Sequence, residues 1–194
     1  AAGAAAVVLP SLFEEQIESD ELAIHATLEQ GAHSFGEAMT YLPELEDYDT
    51  GPGSYLELID TAKKSLGIPV IASLNGSTPG GWVRYARLCE NAGADAIELN
   101  VYAVEADPTT DGGVVERRLL ELTREVRAAV SVPLAVKLGP FYSAFANVAT
   151  RLADAGVDGL TCFNRFLGPD LDLEAMRVEP TIRLSTSDEL RLVL

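Results

Sequence analysis

The sequence has few basic residues. Lys and Arg number 14 against 30 Asp and Glu, which gives a formal net charge of −16 at pH 7. Nucleic-acid backbones and anionic membrane surfaces are bound through clustered Lys and Arg. The composition therefore argues against a nucleic-acid or membrane partner. Much of the acid falls within residues 14–49, and we interpret this run as a solvated face, not as a metal site.

Cysteines and long hydrophobic runs are also scarce. Cys89 and Cys162 are too few and too far apart to predict a disulfide framework or a zinc site. Their apolar surroundings predict buried, inert thiols. No apolar run approaches the roughly 20 residues of a transmembrane helix, and residues 1–10 lack the basic start of a signal peptide. These absences predict a cytoplasmic protein.

Apolar runs alternate with stretches of helical spacing along the chain. The predicted strands cover residues 4–9, 68–74, 94–99, 134–138 and 160–163. The predicted helices cover residues 12–28 (one helix or a helical pair), 55–66, 82–91, 111–130 and 145–155. Thr78 fits the cap of one helix and Pro79 its first position. Strands that alternate with helices through short links are parallel, with helical crossovers.

An internal repeat supports this assignment. Pro69, at the start of one strand, recurs as Pro133 after 64 positions, and Gly93, at the start of the next, recurs as Gly156 after 63 positions. The residues that follow each Pro and each Gly are similarly apolar. The sequence therefore predicts two successive copies of one strand-helix-strand unit.

The connection between the first two strands is long. Residues 31–53 are irregular and contain Pro43, Gly51 and Pro52. A connection of this length more often covers a site than merely joins elements. We predict one domain over residues 1–194 with a lid-like insertion at about 12–53. His25 and His33 have no partner at ligand or triad spacing, so we assign both to the surface.

Two architectures fit the alternating pattern, namely an open doubly wound sheet and part of a closed barrel. No Gly-rich phosphate loop follows the first strand, which counts against the doubly wound nucleotide-binding folds. A complete eight-unit barrel typically needs about 250 residues, and this chain has 194. We therefore predict an α/β fold that is a partial (β/α)8 TIM barrel, with about five of eight parallel strands present.

Polar residues lie at or near the carboxyl ends of the five predicted strands, where both architectures bind ligands. The side chain of Asn100 offers a donor and an acceptor to a flat heterocycle, although an Asn at this place can also simply close a turn. The set comprises Ser11, Ser73 with Asn75, Asn100, Lys137 and Asn164.

Lys137 interrupts an otherwise apolar strand. A buried ammonium group is costly unless an anion or an electron-rich acceptor meets it. The alternative is a Lys that reaches past the strand end to water or to a surface Glu. The other polar strand ends favour a ligand role for Lys137.

Four short motifs resemble the dihydroorotate dehydrogenase family, specifically its cytoplasmic class and the dihydroorotate dehydrogenase-like proteins. The motifs keep the family's order along nearly the whole chain, and they are Val8–Ser11, Ile97–Asn100, Val136–Leu138 and Phe163–Asn164. The resemblance implies a (β/α)8 barrel that binds flavin mononucleotide (FMN) at its carboxyl-end face. It also implies a small-molecule substrate, with dihydroorotate oxidised to orotate in pyrimidine biosynthesis, and we expect the intact parent to form a homodimer.

The same resemblance implies roles for individual residues. Ser11, Asn100 and Lys137 would contact the flavin ring, with Lys137 near its N1/O2 edge, where it stabilises the negative charge of the reduced ring. Ser73 would line the same pocket. Asn164 would face the flavin or the substrate.

The sequence departs from the family pattern after Asn100. The family continues to a Cys or Ser that removes the substrate proton and then to an Asn that holds the substrate, whereas this chain has Ala103 and Glu105 at those positions. A methyl group cannot accept a proton, so the usual general base is absent. Tyr102 or Glu105 could act as base for another substrate, and the alternatives are a packed Tyr and a solvated Glu. Pro10 also stands where many relatives have a Lys.

Members of this family begin with one more strand before the equivalent of Ala1 and continue through two more after that of Leu194. The resemblance therefore predicts an internal fragment of a flavin-dependent oxidoreductase. Two other functions stay open. One is a flavin-free barrel lyase or aldolase with Lys137 as a Schiff-base amine, and the other is a catalytically inactive barrel relative, which Ala103 would explain.

Overall fold

A computed structural model describes residues 3–19, 22, 51–76, 78–101, 105–164, 169–180 and 186–192. Five strands form one sheet, and each pairs in parallel with the next strand in the chain. Doubly wound folds reverse the strand order at a switch point, and this sheet does not. The predicted α/β fold with five parallel strands, consistent with a partial barrel, is confirmed. The strands are β1 (Val7–Phe13), β2 (Val70–Asn75), β3 (Ala96–Asn100), β4 (Leu134–Leu138) and β5 (Gly159–Cys162).

In the described part of the chain, four helices each lead directly into a strand of the sheet, as predicted, within three residues of the expected bounds. The Thr78 hydroxyl accepts the Gly81 N–H at 3.0 Å and Pro79 opens its helix, which confirms the predicted cap. A second cap is Asp111, whose carboxylate accepts the Val114 N–H at 2.9 Å. The helices are α1 (Gly53–Ser65), α2 (Pro79–Asn91), α3 (Gly112–Ala129) and α4 (Phe145–Asp154).

The two faces of the sheet differ in character. Alternate strand residues pack against the helices and form the core, where apolar burial is the main stabilising contribution. The opposite face, which we call the inner face, carries polar side chains on several strands. The core residues of the central strands are Val70, Ala72, Leu74, Ile97, Leu99, Leu134, Val136 and Leu138, each at most 1% exposed.

The first strand differs from its prediction. β1 continues through Pro10 and Ser11 to Phe13, where the sequence predicted a strand at 4–9 and a helix from residue 12. Its pairing with β2 shifts register between Val8 and Ser11. Such a bulge on an edge strand accommodates proline, which has no N–H to pair. Helix begins only at residue 14 and is described to 19.

The remainder of the predicted 12–28 helix, most of the lid-like insertion, His25 and His33 lie outside the described residues. An antiparallel pair that the sequence did not predict follows the sheet, β6 (Pro169–Asp172) with β7 (Arg177–Pro180). A 3-10 helix covers Ser187–Leu192. No helix within the described ranges is long and apolar enough to cross a bilayer.

The internal repeat is visible as two equivalent hydrogen bonds, in each of which an Asp side chain accepts a backbone N–H at the start of the neighbouring strand. We call each of these contacts a latch. Gly93 (φ +99°) and Gly156 (φ +93°) both adopt the left-handed backbone conformation that favours glycine. Asp95 accepts the Val70 N–H at 2.7 Å, and Asp158 accepts the Leu134 N–H at 2.9 Å. Both latches lie at the amino ends of the strands, which in barrels serve stability.

The two thiols differ in exposure. Cys89 is fully buried, as predicted, and burial raises its pKa to about 12, so the thiol is inert. The prediction of a buried thiol was wrong for Cys162, which is partly exposed. Cys162 is the last residue of β5, an edge strand in the described chain, and Leu160 of the same strand is 36% exposed.

Candidate functional site

The sheet register brings predicted site residues to the inner face. Ser11 lies beside Ser73, Asn100 beside Lys137, and Lys137 beside Thr161. Register partners on adjacent strands share a face of the sheet. The inner face near the carboxyl ends of the strands therefore carries Ser11, Ser73, Asn100 and Lys137 together.

Hydrogen bonds join four of the predicted residues into one chain. Asn164 Nδ2 donates to Asn100 Oδ1 at 2.6 Å, and Asn100 Nδ2 donates to Ser11 Oγ at 3.1 Å. Ser11 Oγ lies 2.8 Å from Ser73 Oγ. We call Ser11, Ser73, Asn100, Asn164 and Lys137 the polar rim. Their roles toward a flavin stay a prediction.

The hydrogen-bonded chain continues from Ser73 to a carboxylate, Glu98, that the sequence analysis missed. Ser73 Oγ donates to Glu98 Oε1 at 3.1 Å, and Thr161 Oγ1 donates to Glu98 Oε2 at 2.8 Å. Glu98 is only 5% exposed. The sequence does contain a signal for Glu98, because an acidic residue lies two positions before Asn100 in a largely apolar strand. Lys137 was predicted as a site residue from the same kind of charged residue within an apolar strand.

Lys137 stands between the buried core residues Val136 and Leu138, with its side chain on the inner face. None of the ion pairs among the described residues involves its ammonium group. An ammonium group has three N–H donors. Lys137 therefore offers positive charge and donors to a ligand on the inner face.

Tyr55 fixes the backbone at Ser73, and the sequence analysis missed this residue as well. Its hydroxyl donates to the Ser73 carbonyl at 2.9 Å and accepts the Ser73 N–H at 3.0 Å. Burial raises the pKa of the Tyr55 phenol well above its usual range. The neutral phenol can therefore serve as donor and acceptor at once.

The amino end of α2 is already occupied by a side chain of this protein. The buried Glu14 carboxylate accepts the Thr78 N–H at 3.0 Å and bonds to the Thr78 hydroxyl at 2.9 Å. A carboxylate at this place complements the partial positive charge of the helix end. A side chain on Gly81 would collide with Glu14, so glycine is what lets the carboxylate approach.

Of the predicted alternative bases, the structure describes one. Tyr102 lies outside the described residues, as does Ala103. Glu105 is exposed and accepts from Arg118 Nη1 at 3.1 Å and from the Asp107 N–H at 3.1 Å. The carboxylate is thus held toward α3 by Arg118.

The chain is similar to curated proteins named dihydroorotate dehydrogenase. It is 30% identical over 141 residues to the catalytic subunit of dihydroorotate dehydrogenase B (NAD(+)) of Shouchella clausii, covering 70% of this chain and 40% of that protein. The same subunit of Listeria monocytogenes is 35% identical over 115 residues, covering 56% and 36%. The chain spans well under half the length of these relatives. The names of these relatives agree with the family that the four sequence motifs resemble.

No protein-family model matches the chain. Among solved structures, phosphonopyruvate hydrolase aligns with a TM-score of 0.49 at 14% identity, covering 82% of this chain and 58% of that one. A likeness of this size carries no functional information.

Proposed function

We propose that this chain is part of an FMN-dependent oxidoreductase of the dihydroorotate dehydrogenase family that acts on CH-CH donors. The observation that carries the proposal is the polar rim, where a continuous hydrogen-bonded chain lies beside an inward-facing Lys137 without an ion-pair partner in the described chain. The names of the curated relatives support it.

The donors of the polar rim fit one edge of a flavin. The pyrimidine end of the oxidised isoalloxazine ring carries two carbonyl oxygens and one unprotonated ring nitrogen that accept hydrogen bonds. The amides of Asn100 and Asn164 and the ammonium group of Lys137 supply donors of the matching kind. When bound, FMN would supply two-electron redox chemistry, and Lys137 would stabilise negative charge on the pyrimidine end.

We propose that the substrate differs from dihydroorotate. Ala103 stands where the family has its proton acceptor, and a methyl group cannot fill that role. Glu105, at the position of the substrate-binding Asn, is paired with Arg118. We expect FMN-loaded protein to keep its oxidised flavin spectrum when dihydroorotate is added without oxygen, and rapid bleaching would contradict this part of the proposal.

A visible spectrum tests the cofactor. The protein is purified, incubated with FMN and passed through a desalting column, and flavin absorption should stay with the protein. Asn100→Leu should lose the colour, whereas Asn91→Leu, at the end of α2 away from the rim, should keep it. A wild-type protein that is colourless and takes up no FMN would overturn the proposal.

Lys137, which has no ion-pair partner among the described residues, also supports a second candidate, a flavin-free lyase or aldolase. In this case the amine would attack a carbonyl substrate and form a Schiff base. Borohydride with a set of 2-oxo acids would then add mass to Lys137, detected by peptide mass spectrometry. Modification of Lys137 in protein that binds no FMN would favour the lyase over the oxidoreductase.

A further inference from the structure

The hydrogen-bonded chain of the polar rim ends on a buried charge. Both oxygens of Glu98 receive a hydroxyl, from Ser73 at 3.1 Å and from Thr161 at 2.8 Å. A carboxylate can only accept hydrogen bonds. The single hydroxyl protons of Ser73 and Thr161 therefore both point toward Glu98.

This end point sets the direction of every other bond in the chain. Because Ser73 donates to Glu98, the 2.8 Å contact between the two serine hydroxyls must use the proton of Ser11. Ser11 then has only lone pairs left for Asn100, whose Nδ2 donates to it. The carbonyl of Asn100 is left to accept from Asn164 at 2.6 Å.

The reverse orientation of Asn100 is unfavourable for the same reason. A flipped amide would turn its carbonyl to Ser11, which has no proton left to give. With Asn164 in its present orientation, it would also bring two NH2 groups together at the Asn164 contact. The mismatch at Ser11 leaves part-buried polar groups without a hydrogen bond, which is unfavourable.

We propose that Glu98 is a positioning residue that orients Asn100, so that Asn100 presents its second Nδ2–H, and not its carbonyl, to the ligand. With Lys137 beside it in register, the rim selects a ligand edge that accepts hydrogen bonds, such as a ring carbonyl or an unprotonated ring nitrogen. A ligand edge that only donates is rejected at this place. The identification of that ligand as FMN rests on the function proposed above.

The first test needs no ligand. In protein labelled with 15N at asparagine, the Asn164 side-chain proton bonded to Asn100 should resonate far downfield in an NMR spectrum. Glu98→Gln supplies an N–H that can donate to Ser73, so the direction of the chain is no longer fixed and the downfield signal should be lost or split. An unchanged Asn164 signal in Glu98→Gln would overturn the proposal.

The second test uses FMN as the probe, with quenching of its fluorescence as the readout. We expect Glu98→Gln and Ser73→Ala each to weaken FMN binding about tenfold. The double variant should bind no more weakly than the weaker single variant, because both residues act through one path. If the fold-losses in FMN affinity of the two single variants multiplied in the double variant, the proposal would be overturned.

Glu90→Gln is the matched control. The Glu90 carboxylate also accepts a hydroxyl, from Ser131 at 2.6 Å, but at the amino ends of the strands. The Glu90→Gln variant should leave the Asn164 signal and FMN binding unchanged even if its melting temperature falls. If Glu98→Gln does not fold, Ser73→Ala interrupts the same chain and carries the test alone. A wild-type protein that binds no FMN contradicts the proposed function, whereas the NMR result still decides the role of Glu98.

Discussion

At the scale of single residues, Lys137 and Glu98 are oppositely charged side chains on one face of a sheet, with different surroundings. Glu98 is enclosed by two hydroxyl donors, whereas Lys137 has no ion-pair partner in the described chain. Because the Glu98 carboxylate already accepts two hydrogen bonds, it can orient the hydroxyl groups around it. The Lys137 ammonium group has no such partner in the described chain and is available to a ligand.

Removal of the Lys137 charge should make the flavin harder to reduce. In Lys137→Gln we expect the two-electron reduction potential of bound FMN to fall by about 30 mV or more, which is at least tenfold in the equilibrium constant. The control Lys64→Gln, an exposed residue of α1 paired with Asp60, should leave the potential unchanged. Equal potentials for Lys137→Gln and the wild type would contradict a flavin contact at Lys137.

The sequence indicated part of the rim and missed the residues that organise it. Ser11, Ser73, Asn100 and Asn164 were predicted because polar residues near strand ends face the ligand side of such folds. Glu98 depends on partners 25 and 63 positions away. A local sequence pattern cannot predict contacts between residues so far apart in the sequence, so the role of Glu98 is visible only in the fold.

At the scale of elements, adjacent glycines of α2 should respond oppositely to alanine. A side chain at Gly81 would collide with the Glu14 carboxylate, whereas nothing lies within 4 Å of one at Gly80. Gly81→Ala should cost about 1–3 kcal/mol, because Glu14 must leave its bonds to Thr78. Gly80→Ala should be neutral or stabilise by about 0.5–1 kcal/mol through the greater helix propensity of alanine. Chemical denaturation measures both, and equal effects would argue against the Glu14 cap.

The Asp95 latch should make stability depend on pH. Ion pairing with Lys63 at 2.6 Å and the Val70 N–H hold the pKa of Asp95 below its usual range. Such a group stabilises the fold above its unfolded pKa of about 3.9, and the contribution is lost as pH falls through the folded pKa. Because 37% of the side chain is exposed, solvent screens the pair, and Asp95→Asn should cost only about 1–2 kcal/mol at pH 7.

Denaturation of wild type and Asp95→Asn from pH 7 to pH 3 measures that difference, which should shrink as pH falls below about 4. The control is Asp60→Asn, which removes an exposed pair within α1. It should change stability by less than about 0.5 kcal/mol at every pH. A difference between Asp95→Asn and wild type that stays constant down to pH 3 would contradict the latch.

The elements also show where local patterns mislead. The helices and β4 were predicted closely because their apolar spacing is regular and their caps are visible in the sequence. β1 was predicted too short because Pro10 suggested a strand end. A register shift at the sheet edge removes that conflict, and it depends on β2, which begins 60 positions beyond Pro10 in the sequence.

At the scale of the whole molecule, strand order is what makes a common site possible. The five parallel strands of the described residues, in sequential order, bring their carboxyl ends to one edge, so residues from Ser11 to Asn164 can meet. The inner face also exposes apolar side chains, with Val8 49% and Phe13 44% exposed. The chain spans at most 40% of the two relatives described above.

Alternation of strand and helix predicted this arrangement, since few topologies satisfy short parallel connections. The antiparallel β6–β7 pair was not predicted, because its strands have four residues each and lack the apolar runs that identify a buried strand. Apolar periodicity therefore determined the sheet but not the segment that follows it.

A crystal structure of the protein with FMN tests the central claim most directly. The account predicts the pyrimidine end of the flavin within hydrogen-bond distance of Asn100 Nδ2 and Lys137 Nζ, on the inner face of the sheet. Flavin bound elsewhere, or contacts in which the Asn100 carbonyl accepts from the ring, would contradict it.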